Sequence, residues 1–183
     1  MEIRDATPAE LPGIAAILNE AIARSTAVWS SQQVTAADRE AWLAEHERLG
    51  YPVLVAVDVA AGGREVLGYA AFGAYRGAFD GYRHTVEHSV YVRADRQGLG
   101  VGRALMEALV VRARRLGKHV MVAAIDAANT GSIAMHERLG FERAGVLREV
   151  GAKFGGWRDL AYLTLALDAR DDPDPDPDPA ARR

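Results

Sequence analysis

Apolar residues recur along this chain in blocks whose spacing switches between helical and strand-like, and the switches fall at capping or turn residues. Ile3 stands in a short first strand, after which Thr7-Pro8-Ala9-Glu10 reads as a capping box with proline at the first helical position. Leu11, Ile14, Leu18 and Ile22 then form the buried stripe of a first helix. Thr35-Ala36-Ala37-Asp38 opens a second, which runs through Trp42, Leu43 and Leu49 and ends at Gly50. Strand patterns follow at Pro52 to Asp58 and Val66 to Gly73, and Ala60-Ala61-Gly62-Gly63 between them predicts a hairpin.

The strand from His84 to Val92 leads through a glycine-rich loop into a helix in which Val101, Leu105, Leu109, Ala113 and Leu116 share one face, with Gly117 after its end. An apolar strand from His119 to Ile125, a short helix from about Asn129 to Leu139 closed by Gly140, and strands around Phe141 to Val150 and Trp157 to Leu167 complete the order β-α-α-β-β-β-α-β-α-β-β. That order is mixed α/β: antiparallel strands feed one βαβ crossover, and no repeat is visible.

With 183 residues, 49% of them hydrophobic, the chain suffices for one domain with a full core. A net charge of −3 offers no basic field for nucleic acid, and Arg112, Arg114, Arg115 and Lys118 read as a solvated helix face. The absence of cysteine excludes disulfides, thiolate catalysis and a cysteinyl intermediate. The histidines are scattered, so no metal site is expected. Met1-Glu2-Ile3-Arg4-Asp5 enters structure at once and no long apolar run occurs, so the expectation is a cytoplasmic protein away from membranes. The domain is expected over residues 1–168. From 169 to 183 a disordered acidic Pro-Asp tail is expected, because like charges alternating with proline have nothing to bury and are spaced too far along an extended chain to hold a metal.

The most informative segment is Gln97-Gly98-Leu99-Gly100-Val101-Gly102-Arg103, between a strand and a helix. Glycines there remove obstructing side chains, and the helix presents unpaired N–H groups and a positive dipole end, which together predict an anion cradle. A nucleotide P-loop requires Gly-Lys-Ser/Thr, whereas Gly102 is followed by Arg103 and Ala104. A dinucleotide fingerprint requires a third glycine where Arg103 or Leu105 stands.

The remaining pattern, Q-x-x-G-x-G on a strand-loop-helix, resembles the pyrophosphate loop of the GCN5-related N-acetyltransferases (GNAT). Asn129-Thr130-Gly131-Ser132-Ile133-Ala134-Met135-His136-Glu137-Arg138-Leu139-Gly140-Phe141 is similar to a second signature of that family, with histidine where the family has tyrosine. The resemblance implies the acyl-CoA N-acyltransferase fold, with two central strands splayed to admit acetyl-CoA between Val90-Tyr91-Val92 and Ala123-Ala124-Ile125. Gln97, Gly98, Leu99, Gly100, Val101, Gly102 and Arg103 would hold the pyrophosphate, and Asn129 with Ser132 the pantetheine arm. Segments Tyr82 to Val92 and Gly151 to Asp159 look like those of phosphinothricin and methionine sulfoximine/sulfone acetyltransferases, a subgroup that resembles homodimers.

Amide formation from a thioester needs a neutral amine, whereas a free α-amino group has a pKa of about 8. Arg83, Thr85, Glu87 and Ser89 would alternate onto one strand face, making Glu87 the candidate base, directly or through water, unless it merely pairs with Arg83. Tyr82, Arg83, Thr85 and Lys153 are the candidate substrate contacts, with Lys153 acting across a subunit interface or decorating a turn. Backbone N–H of Val90 or Val92 would stabilise the oxyanion, and His136, ahead of Tyr91, would protonate the departing thiolate. His88, on the opposite face, reads as a satisfied core or interface histidine, and Trp157 as core ahead of substrate wall. The leading expectation is a small-molecule N-acetyltransferase working by direct transfer. The alternatives are a protein N-terminal or other small-amine acetyltransferase, or a silent acetyl-CoA sensor.

Overall fold

The computed structural model describes residues 1–60, 65–77 and 79–173. Parts of the predicted hairpin turn and most of the Pro-Asp tail lie outside them. One mixed seven-stranded sheet is built from β1 (Glu2–Asp5), β2 (Val53–Asp58), β3 (Glu65–Ala74), β4 (Thr85–Val92), β5 (Val120–Asp126), β6 (Glu142–Lys153) and β7 (Gly156–Ala166), in the spatial order β1-β2-β3-β4-β5-β7-β6. Among the described residues only β4 and β5 pair in parallel, as a single crossover through a helix requires.

The helices are α1 (Leu11–Arg24), α2 (Ala36–Leu49), α3 (Val101–Arg115) and α4 (Thr130–Arg138). Both capping boxes form: Glu10 closes on Thr7 ahead of α1, and Asp38 on Thr35 at the start of α2. Gly50, Gly117 and Gly140, just past α2, α3 and α4, take positive φ, where a side chain would cost energy.

Strand alternation divides the core between two faces. Val53, Val55 and Val57 pack with Tyr69 and Ala71 against α1 and α2, while Leu54, Ala56, Ala70 and Phe72 pack against α3. Two expected core residues lie elsewhere. Leu116, just beyond α3, is exposed, and Trp157 is 70% exposed beside the β6–β7 turn, where the sheet ends and no second layer covers it.

Candidate active site

The decisive feature lies between β4 and β5. Their ladder contains only Thr85–Val120, Val86–Met121 and Glu87–Val122, whereas β3 continues to pair with β4 out to Val92 and β7 with β5 out to Asp126. Beyond Glu87, Val90-Tyr91-Val92 therefore stands apart from Ala123-Ala124-Ile125 with both backbones supported only on their outer sides. Gly68 lets β3 and α3 close up behind this segment, since a Cβ there would lie 2.8 Å from the Tyr91 carbonyl oxygen.

The glycine loop follows directly. Gly98 and Gly100 have φ of 75° and 84°, and a Cβ at either would meet open space, so these glycines serve backbone conformation and ligand approach. Gln97 donates its side-chain amide to the Val92 carbonyl, tying the loop to the strand end. The first N–H of α3 with a backbone acceptor is that of Ala104, which donates to Gly100. Among the described residues the N–H groups from Gly98 to Arg103 meet no backbone acceptor, which fits a pyrophosphate. Leu99 is exposed, Val101 is buried under the loop, and the Arg103 guanidinium is shared with Glu107 at 2.8 Å.

Side chains of β4 divide by parity. Glu87, Ser89 and Tyr91 face a cleft of about 250 Å³ that is also lined by Val28, Arg39, Trp42, His46 and Tyr69. Partial burial raises the Glu87 carboxyl above the ordinary carboxylate range, toward the value a base needs at neutral pH. No Arg83 ion pair accounts for Glu87, because Arg83 precedes the strand, following a 3-10 turn at Asp80–Tyr82, instead of alternating with Thr85 and Glu87. Neither Arg83, Thr85 nor Tyr82 lines the cleft; Tyr82 packs edge-on against Tyr75.

Three further expectations are corrected. Lys153 is buried, and its ammonium donates to the carbonyls of Ile22, at 2.7 Å, and Ser30, so it fastens loop 25–34 and has little left for a substrate anion. His136 is 1% exposed, and its Nδ1–H donates to the Ser132 carbonyl at 2.8 Å. Burial lowers its pKa, leaving a neutral ring whose Nε2 carries no proton for a thiolate. His88 stacks on His136 with ring centroids 5.0 Å apart, and it is not satisfied: neither of its nitrogens has a hydrogen-bond partner among the described residues, and burial lowers its pKa to about 3. Asn129 caps α4 by accepting the N–H of Ser132.

The structure also brings in residues that the sequence reading missed. Arg39, Trp42 and His46 form one stripe of α2 on the cleft wall, with the Arg39 guanidinium 4.8 Å over Trp42. Their i, i+3, i+7 spacing was a readable signal that the sequence reading, which took Trp42 only as a helix position, did not use. Burial, and after it the neighbouring charges of Glu87 and Tyr75, raise the pKa of Tyr162 on β7, while the nearby Arg76 cation lowers it. Arg76 itself takes φ 47°, an unusual conformation for a side-chain-bearing residue. Among the described residues no cluster of three or more His, Cys, Asp or Glu is placed to hold a metal, and no helix is long and apolar enough to cross a membrane.

This splayed sheet with its loop and cleft is the architecture of an acetyl-group transferase. Residues 14–141 match the Acetyltransferase (GNAT) family, to which the chain belongs. It is 54% identical to the L-methionine sulfoximine/L-methionine sulfone acetyltransferase of Pseudomonas paraeruginosa, over 91% of this chain and 94% of that one. It is 47% identical to the L-amino acid N-acyltransferase MnaT of Escherichia coli, over 94% and 98%, and 36% identical to the phosphinothricin N-acetyltransferase of Streptomyces viridochromogenes, over 88% and 85%. Among solved structures, yncA of Salmonella typhimurium with its cofactor acetyl-CoA superposes with a TM-score of 0.90 at 45% identity, covering 95% of this chain and 98% of that one.

Proposed function

We propose that the chain transfers the acetyl group of acetyl-CoA to the α-amine of an amino-acid analogue of the methionine sulfone, methionine sulfoximine or phosphinothricin type. The observation that carries this reading is the position of Glu87. It is the last β4 residue paired to β5, so its carboxylate stands at the fork where the thioester would enter and faces the cleft from which an amine would approach. Its raised pKa suits the removal of an ammonium proton, directly or through water.

In this reading the free N–H groups of Gly98 to Arg103 hold the pyrophosphate and the Asn129 side-chain NH₂ meets the pantetheine arm. Val90 and Val92 share strand parity, so either can turn its N–H toward the developing oxyanion. The tetrahedral centre collapses with cleavage of the C–S bond. The thiolate leaves with coenzyme A and takes its proton from water, because the His136 ring has none to give at Nε2. Arg76, whose charge reaches Tyr162 alongside that of Glu87, is suited to the substrate's α-carboxylate. A homodimer and a cytoplasmic setting belong to the same reading; exposed Val146, Leu147, Val150, Phe154 and Trp157 along the β6–β7 hairpin supply an apolar face for the second copy.

Glu87→Gln tests the assignment: turnover with L-methionine sulfone should fall at least ~100-fold, while acetyl-CoA affinity measured by calorimetry stays within about twofold. Undiminished turnover would remove Glu87 from the mechanism, and lost acetyl-CoA binding would make its role structural.

A further inference from the structure

The cleft has two chemically different ends. Glu87, Ser89 and Tyr91 lie on one face of β4 at every second residue, so Glu87 and Tyr91 are about 13 Å apart along the strand. Arg39 belongs to the Tyr91 end: its charge acts on the hydroxyls of both Tyr91 and Tyr69, whose rings lie 5.4 Å apart, and its guanidinium rests on Trp42. Trp42 in turn meets Tyr69 edge-on at 6.0 Å. Arg39 thus sits among three aromatic rings, without a carboxylate in ion-pair range among the described residues, and its buried Nε has no hydrogen-bond partner. An unpaired guanidinium held in an aromatic frame beside a cleft is a receptor for oxygen acceptors.

Resting on the function proposed above, the amine must lie at the Glu87 end, and the α-carboxylate lies with it because one carbon joins the two. What reaches the other end is the far end of the substrate side chain. We infer that Arg39 is a specificity-determining residue that binds the terminal oxygens of the acceptor's side chain, the sulfonyl, sulfoximine or phosphinate group, and so separates oxidised analogues from the parent amino acid. A thioether offers no comparable acceptor and would leave the guanidinium without its partner.

The test is calorimetric titration of the coenzyme A-saturated chain with L-methionine sulfone and with L-methionine, in the unmodified protein, Arg39→Leu and Arg39→Gln. The unmodified chain should prefer the sulfone at least tenfold. Both variants should reduce that preference to within about twofold by losing sulfone affinity, while coenzyme A affinity, measured first, shows that they are folded. Should one variant fail to bind coenzyme A, the other decides. A preference that survives in a folded variant, or one absent from the unmodified chain, overturns the assignment of Arg39 and leaves the proposed function standing. If the unmodified chain binds neither amine, the proposed amine class fails and Arg39 loses its role with it.

Discussion

Helices α4 and α2 carry the same device to opposite ends. Asn129, Ser132 and His136 on one, and Arg39, Trp42 and His46 on the other, are spaced i, i+3, i+7 and form a single stripe. On α4 the stripe is consumed internally: Asn129 accepts the Ser132 N–H, the Ser132 carbonyl accepts His136 Nδ1–H, and the imidazole is buried against His88 and Phe141. On α2 the stripe faces a cleft, and although His46 donates to the Trp42 carbonyl, the guanidinium of Arg39 stays uncommitted. Polar spacing shows which residues act together. Whether they build the protein or meet a ligand depends on what packs opposite.

The contrast breaks most visibly under truncation. His136→Ala should cost about 3 kcal/mol in urea unfolding, since removing a buried ring leaves a cavity beside His88 and Phe141. His46→Ala should cost under about 1 kcal/mol. Equal costs would show that the two stripes are alike.

A smaller effect is expected from acid. His88 falls from an ordinary 6.5 in the unfolded chain to about 3 when folded, so the unfolded state binds the extra proton throughout that interval. The stability conferred by the neutral ring is complete above about 6.5 and declines as pH falls toward 3. His136, also lowered, acts in the same sense. Unfolding at pH 7.0 and 5.5 should differ by about 1 kcal/mol from His88, and His88→Phe should flatten the slope. Glu10, lowered to about 2 by Arg4 and the Thr7 cap, also loses stability in acid, but only below its ordinary 4.5.

The helix starts offer the finest comparison. Asn129→Ala and Thr35→Ala each remove a side-chain oxygen that accepts a first-turn N–H, at 3.1 and 3.2 Å, so each should cost about 1 kcal/mol in thermal unfolding. A much larger loss at Asn129 would mean that its side chain does more than cap.

Most of the fold was legible because its punctuation is local. The Thr7 and Thr35 boxes, the glycines after α2, α3 and α4, and the alternation in β2 to β5 depend on neighbours a few residues away. The glycine loop between β4 and α3 was legible for the same reason, being a contiguous segment. The amine side of the site was not. Arg39 gains its meaning from Tyr69 and Tyr91 across the sheet, Arg76 from a left-handed turn, and Lys153 from carbonyls of another segment, none of which periodicity reports. Arg83 was misplaced by extending a strand pattern two residues into a turn.

The fastening of loop 25–34 carries one more consequence. The Trp29 indole N–H reaches Asp126, 97 positions along the chain, and Lys153 reaches back 131 positions to Ile22. The Trp29 ring lies so close over Gly151 that a Cβ there would come within 2.1 Å of it. Val28, the neighbour of that tryptophan, lines the cleft. Until that hairpin is in place, loop 25–34 lacks both the Lys153 ammonium and the Gly151 backbone it packs on, so the cleft wall at Val28 is the last part of the molecule to be fixed.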